Sequence, residues 1–260
     1  MNIALIQSEI YWENKEKNFL HFSEKIKSLN ENTDVIVLPE MFTTGFTMNS
    51  QKFAENIGEK TTEWMLQMAS EKKSCLTGSF ITKENDSYYN TLLWAYPDGK
   101  FQFYHKRHLF RMAEEHKHYS SGKSKIICEY KGVKFFPLIC YDLRFPVWSR
   151  NRFNVNNEFY DVLIYVANWP QVRIDAWKKL LFARAIENLS YVVGVNRIGI
   201  DGTHKEYNGQ SMAINFKGEC IVDCEDNDVI KVAKIDINEL KSFREKFPAY
   251  LDADDFNILL

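Results

Sequence analysis

The sequence predicts an α/β fold in which two mixed β-sheets pack face to face, with helices on both outer sides. Two observations carry this. Segments of helical periodicity alternate with short apolar runs along the 260 residues, and several of those runs adjoin with only a turn between them. A single doubly wound sheet has no use for such hairpins, whereas two mixed sheets accommodate them. A third observation sets the domain count. No Gly/Ser/Pro-rich linker, low-complexity tract or fixed-period repeat divides the chain, so one domain over residues 1–260 is expected.

Each element has its own warrant. Asn2–Ser8 alternates and is rich in Ile and Leu, which reads as a strand. Asn14–Leu29 places Phe19, Phe22, Ile26 and Leu29 at helical spacing. Asp34–Leu38 is an apolar run ended by Pro39, the pattern of a strand buried on both faces. Thr61–Lys73 is a second helix, and Ser74–Thr82 and Tyr88–Tyr96 are strands. Pro97-Asp98-Gly99 is a turn signal that makes Phe101–His105 a hairpin partner. From Lys106 to Lys125 no period survives, so a long loop of functional interest is expected. Ile126–Tyr130 and Val133–Ile139 flank Lys131-Gly132 as strands, and Asp161–Ala167 is another buried strand. Ile174–Asn188 is a helix, Tyr191–Asn196 a strand, and residues 209–216, 219–224 and 229–235 form an expected meander. Ile237–Lys246 closes the order as a helix.

Composition narrows the function. The formal net charge is −2 with both signs dispersed, so neither a phosphate backbone nor an anionic membrane surface is an expected partner. The opening Met-Asn-Ile-Ala-Leu-Ile-Gln-Ser is too short for a signal peptide, and no run reaches the length of a membrane span, which together predict a cytoplasmic protein. Five cysteines, at 75, 128, 140, 220 and 224, show no Cys-x-x-Cys spacing, so neither a disulfide framework nor structural zinc is expected. Most should be inert buried thiols.

Three segments place a reactive group at the end of a strand. Glu40 follows Val37-Leu38-Pro39, where an unpaired carboxylate is costly. Lys106 follows Phe103-Tyr104-His105. Cys140 closes Phe135-Phe136-Pro137-Leu138-Ile139, and Pro146 marks a helix start soon after, so a strand-to-helix turn would present the thiol and the Tyr141 N–H toward a cleft. Taken singly, each has a plain alternative: a surface ion pair, a solvated lysine, a small buried hydrophobe. Jointly they make chemistry. A thiol with a pKa of about 8.5 needs a base or a nearby cation to become nucleophilic at neutral pH. Glu40 can act as that base, and Lys106 can supply the charge and stabilise an oxyanion.

These segments resemble the Glu, Lys and Cys signatures of the nitrilase, or carbon–nitrogen hydrolase, superfamily, in its order: Pro39-Glu40, His105-Lys106-Arg107-His108-Leu109-Phe110, and Cys140-Tyr141-Asp142-Leu143-Arg144-Phe145-Pro146. The likeness continues through Asn168-Trp169-Pro170, the run 183–188, Gly209-Gln210-Ser211 and the tail from Phe243 to Pro248. Phe110 to His116, with Asn168-Trp169-Pro170, is similar to the bacterial omega-amidase branch, which acts on 2-oxoglutaramate and 2-oxosuccinamate. The resemblance implies a four-layer α-β-β-α sandwich that dimerises with a second copy. It implies Glu40 as general base, Lys106 as oxyanion stabiliser, Cys140 as nucleophile and Glu115, seven residues before Gly122, as the group orienting lysine and amide. Glu114 is its neighbour and rival. It also implies a small amide substrate and a cysteine thioester mechanism with no cofactor. Another carbon–nitrogen hydrolase activity (nitrilase, N-carbamoyl hydrolase or deaminated-glutathione amidase) or a non-catalytic scaffold of the same fold is the alternative.

The remaining candidates concern binding. Phe42, Phe46 and Trp169 are expected to wall the pocket, with Tyr141 beside the thiol and Arg173 reaching a substrate carboxylate. Asp142 and Arg144 are expected to pair and hold the turn at Cys140. Four of six histidines fall at 105, 108, 116 and 118, but without His-Glu-x-x-His spacing and beside Lys106, so no metal site is expected. Gly209-Gln210-Ser211 lacks the last glycine of a serine elbow and is set aside.

Overall fold

The computed structural model describes residues 1–153 and 159–259. Strand β1 (Asn2–Gln7) turns Ala4 and Ile6 to one side and Ile3 and Leu5 to the other, all fully buried. Helix α1 (Lys15–Lys27) is capped by the Asn14 side chain, which accepts from the Lys17 N–H at 3.1 Å; Glu16 lies in its first turn and Lys25 and Lys27 in its last, as the helix dipole favours. Strand β2 (Val35–Val37) is buried on both faces. After the short α2 (Ser50–Phe53) and α3 (Lys60–Lys72), strands β3 (Cys75–Glu84), β4 (Ser87–Ala95) and β5 (Phe101–His105) fold as consecutive hairpins. The expected loop from residue 106 holds only a 3₁₀ turn at Arg111–Ala113 and one turn of helix, α4 (Glu115–His118).

The second half begins with β6 (Cys128–Tyr130) and β7 (Val133–Ile139). Helix α5 (Pro146–Ser149) has proline at its first position. Strand β8 (Val162–Ala167), helix α6 (Ile174–Asn188) and strand β9 (Tyr191–Asn196) follow. A small two-stranded sheet of β10 (Ile198–Ile200) and β11 (Glu206–Asn208), not expected from sequence, separates them from β12 (Met212–Ile214), β13 (Cys220–Asp223), β14 (Val229–Lys234) and helix α7 (Ile237–Lys246).

Two six-stranded sheets result, in the orders β14-β1-β2-β3-β4-β5 and β13-β12-β9-β8-β7-β6, each mixing parallel and antiparallel pairs. The expected meander is corrected at its third strand. β12 and β13 pair, but β14 crosses to the other sheet and lies antiparallel to β1, with Ala233 opposite Ile3. The Gln7 side chain governs the crossing, donating to the carbonyls of Glu225 and Asn227 at 2.9 Å each.

Side-chain alternation assigns the layers. Ile3, Leu5, Val35, Val37, Leu92 and Trp94 of the first sheet meet Phe135, Ile139, Ile164 and Val193 of the second in one core. On the opposite face Ala4, Ile6, Ile36, Leu76 and Phe80 receive Phe19, Phe22 and Ile26 of α1 and Met65, Met68 and Ala69 of α3. Trp177, Leu181 and Ala185 of α6 and Leu240 of α7 cover the second sheet. The architecture is the expected α-β-β-α sandwich. No helix among the described residues is long and apolar enough to cross a membrane.

Candidate active site

Glu40 is fully buried just beyond β2, and the chain leaves it through Met41 in the left-handed region at φ 44°. The Ser79 hydroxyl accepts from the Met41 N–H at 2.8 Å and the Ser79 carbonyl from Phe42 N–H at 3.1 Å, so β3 holds this exit open. Every oxygen of Glu40 is engaged. Oε1 accepts from Asn90 Nδ2 at 2.8 Å and Lys106 Nζ at 2.9 Å, Oε2 from the Asn168 N–H at 2.8 Å, and the backbone carbonyl from Asn168 Nδ2 at 2.5 Å. Carboxylates so dressed are fixed in position as well as paired.

Lys106 lies one residue beyond β5, its N–H on the Asn90 carbonyl and its own carbonyl accepting from Gly122 N–H, both at 2.9 Å. Its ammonium, fully buried, donates to Glu40 and to both oxygens of Glu115 at 3.0 Å, and sits 5.1 Å above the Phe46 ring. Burial alone would drive its proton off; Glu115 and Glu40 outweigh that and raise its pKa above the usual lysine value. Glu115 moves up as well, through burial first and the Glu40 charge next, against the pull of Lys106. Two carboxylates thus share one ammonium. Glu114 is exposed and pairs with Lys117 on the surface, so the buried partner of the lysine is Glu115.

Cys140 ends β7 with φ 42°, a conformation that costs a non-glycine residue about 1–2 kcal/mol. Such strain persists only where the surroundings impose it. Here a 3₁₀ turn over Cys140–Arg144 follows at once, and the Asp142 carboxylate accepts from the Ile139 N–H at 3.1 Å. Sγ lies 4.0 Å from the Asn168 carbonyl. Burial pushes the thiol well above its ordinary pKa, Glu40 adds to that, and Lys106 opposes both. The resting sulfur therefore keeps its proton.

Asp142 does not pair with Arg144 as expected. Its fully buried carboxylate is taken by Tyr104 Oη at 2.8 Å, the His108 N–H at 3.0 Å and His108 Nδ1 at 2.8 Å. Arg144 instead stacks over Trp169, 5.2 Å from the ring centroid. The other histidines have separate fates. His105 bonds Thr91 and stacks on Tyr89, while His116 and His118 are exposed on α4.

Cys140 and Lys106 open into a cleft at the seam of the two sheets. Phe46, Tyr141, Trp169 and Arg173 line it. Phe42 does not. It is fully buried on the helix side of the first sheet, against Phe22 and Trp64, because the left-handed Met41 between Glu40 and Phe42 reverses the chain there. Residues not expected in the wall from sequence also line it: Phe110, Arg144, Asn168, Lys205 and Tyr207. Asn168 carried a signal in its place directly after an apolar strand, like Glu40 and Cys140. Lys205 and Tyr207 carried none, for the small β10–β11 sheet brings them in. Four cations and no Asp or Glu line the cleft among the described residues.

The carbon–nitrogen hydrolase family matches residues 2–245. The chain belongs to that family. This carbon–nitrogen hydrolase is 42% identical to the omega-amidase YafV of Escherichia coli strain K12, over 99% of its own length and 98% of the relative's. It is 33% identical to a 2-oxoglutaramate amidase of Bacillus subtilis, over 96% of each chain. Its fold superposes with a TM-score of 0.97 on a carbon–nitrogen hydrolase superfamily protein of Xanthomonas campestris, solved with an arsenic adduct in its active site; the two are 39% identical over 99% and 98% of their lengths.

Proposed function

We propose that this carbon–nitrogen hydrolase, a single domain over residues 1–260, is a cysteine omega-amidase. It would release ammonia from the terminal amide of a small 2-oxo dicarboxylic monoamide such as 2-oxoglutaramate or 2-oxosuccinamate. The observation that carries the reading is the meeting of thiol, carboxylate and ammonium at the head of a cleft lined by four cations and no acid. The similarity to an omega-amidase and a 2-oxoglutaramate amidase over nearly the whole chain supports the same substrate class.

The steps we assign use these groups. Because the resting thiol is protonated, Glu40 removes its proton as the sulfur attacks the amide carbon. The carbonyl oxygen takes the electron pair and is stabilised by the Lys106 ammonium and the Tyr141 N–H. Glu40 passes the proton to nitrogen, the C–N bond breaks, and ammonia leaves a thioester on Cys140. Water, deprotonated by Glu40, then attacks the thioester carbon; the acid departs and the thiol regains its proton. Glu115 holds Lys106 and meets the substrate amide. Phe46 and Trp169 confine the short chain, and Arg173 receives the carboxylate. No cofactor enters the scheme. We further propose a homodimer acting in the cytoplasm, a reducing compartment that suits five free thiols. Light scattering tests the dimer.

Ammonia release from 2-oxoglutaramate, a simple nitrile and an N-carbamoyl amine, compared side by side, tests the activity. The amide should be preferred by orders of magnitude, and Cys140→Ala should lose up to about a millionfold by analogy with other catalytic triads. Preference for the nitrile or carbamoyl compound moves the assignment within the family. A chain that forms no acyl adduct on Cys140 with any amide is a scaffold, not a hydrolase.

A further inference from the structure

We infer that His108 is a positioning residue of this site: through Asp142 it fixes the distance between the Lys106 ammonium and the Cys140 sulfur. The inference rests on the reading of Lys106 and Cys140 proposed above.

The two groups come from different sheets, Lys106 from the end of β5 and Cys140 from the end of β7. One fully buried carboxylate spans the gap. Asp142 stands two residues after the cysteine and accepts from the Ile139 N–H one residue before it, so it clasps the strained turn from within. Its other donors all come from the lysine's segment. Tyr104, two residues before Lys106, donates its hydroxyl at 2.8 Å, and His108, two residues after it, donates both its backbone N–H at 3.0 Å and its ring at 2.8 Å. Tyr104 Oη is itself fixed, accepting from the Arg107 N–H at 3.1 Å and Trp148 Nε1 at 3.0 Å. The hydroxyl keeps its proton, since burial and the Asp142 charge hold the phenol well above its usual range.

The His108 ring makes two distinct contacts. Both Asp142 oxygens are acceptors, so Nδ1 must carry hydrogen. The ring also lies flat on Phe145, with centroids 3.8 Å apart and planes 8° apart, and Phe145 in turn meets the edge of Tyr141. Only the N–H reaches the carboxylate that joins the two segments. Its loss leaves a buried carboxylate short of a donor and frees the lysine loop to move against the cysteine turn. A displacement of about 1 Å at reacting groups is worth about a hundredfold in rate.

The two contacts can be separated by substitution. Asparagine places its amide N–H close to where the histidine Nδ1–H sits but cannot stack, and phenylalanine stacks but cannot donate. In the full-length enzyme, turning over the amide it hydrolyses best, His108→Ala should lower kcat by about a hundredfold with KM little changed. Alkylation of Cys140 by iodoacetamide should slow in step. His108→Asn should recover kcat to within a few-fold of wild type, and His108→Phe should not. Recovery by phenylalanine and not asparagine, an unchanged kcat in His108→Ala, or a loss confined to KM would each overturn the inference. Each kcat is taken per folded molecule, counted by circular dichroism, so a variant that folds poorly cannot imitate the expected order. Should wild-type turnover itself survive Cys140→Ala, the failure belongs to the proposed function instead.

Discussion

Replacing Lys106 with methionine removes the ammonium while filling much of the same volume, and two separate losses should follow. The first is catalytic. An ammonium aimed at a developing oxyanion is worth about a hundred- to a thousandfold in kcat. The second is structural, and its size follows from the surroundings. Lys106, Glu40 and Glu115 are all fully buried, and Nζ is the group between the two carboxylates at 2.9 and 3.0 Å. Breaking such a buried cluster at one partner costs about 3–5 kcal/mol. At roughly 2–4 °C per kcal/mol for a chain of this size, Tm at pH 8 should fall by about 6–20 °C. The deficit should depend on pH, with a definite sign. Burial and Glu40 already raise Glu115, and without Lys106 it rises further. The folded variant then binds a proton that the unfolded chain, with its ordinary carboxylate near pH 4, releases. Stability therefore falls as pH climbs through that window and returns as pH drops toward it. Differential scanning calorimetry of both proteins at pH 5 and pH 8 measures this. A deficit equal at the two pH values, or none at either, refutes the account of one cation held between two carboxylates.

Three further outcomes follow from contacts described above. Phe42→Ala should cost about 3–5 kcal/mol in urea unfolding, as for other buried phenylalanines, yet leave KM of the folded enzyme unchanged. A raised KM would return Phe42 to the cleft wall. Gly122→Ala should lower kcat by roughly tenfold or more: an added Cβ would stand 2.0 Å from the His105 carbonyl oxygen and push apart the backbone that carries Lys106. Normal kinetics would mean the loop absorbs the methyl elsewhere. Arg173→Leu should raise KM about ten- to a hundredfold for an amide bearing a carboxylate, the worth of a charged hydrogen bond, and spare a neutral amide of equal length. Equal effects on both would remove Arg173 as the carboxylate anchor.

What could be read from residues alone was whatever the chain states locally. Pro39 after an apolar run and proline at the first turn of α5 each mark an element's boundary without reference to the rest of the molecule. The groups standing at those ends, Glu40, Lys106 and Cys140, were visible for the same reason. Contacts made across the fold were not. Asn90 looks like any polar residue within a strand, yet it donates to Glu40 fifty residues away. Asp142 has an arginine two positions on and a histidine thirty-four positions back, and only packing makes the histidine its partner. Residues 229–235 have a strand's pattern whichever sheet receives them, so the crossing of β14 to β1 lay beyond periodicity. Phe42 was misplaced for want of one torsion angle, the positive φ of Met41.

Glu40 and Lys106 stand at strand ends of one sheet, Cys140 and Asn168 at strand ends of the other, and the apolar layer between the sheets sets their separation together with the hydrogen bonds at Asn168 and Asp142. The proposed reaction centre thus lies on the seam of the sandwich, and its tolerances are partly those of the packing between the plates. An overpacked or hollowed residue in that layer, such as Phe135 or Trp94, can slide one plate over the other by a fraction of an ångström while the fold survives. Turnover in this protein is therefore a finer gauge of core repacking than melting temperature, and drift in a family of such hydrolases can retune activity from positions that never touch a substrate.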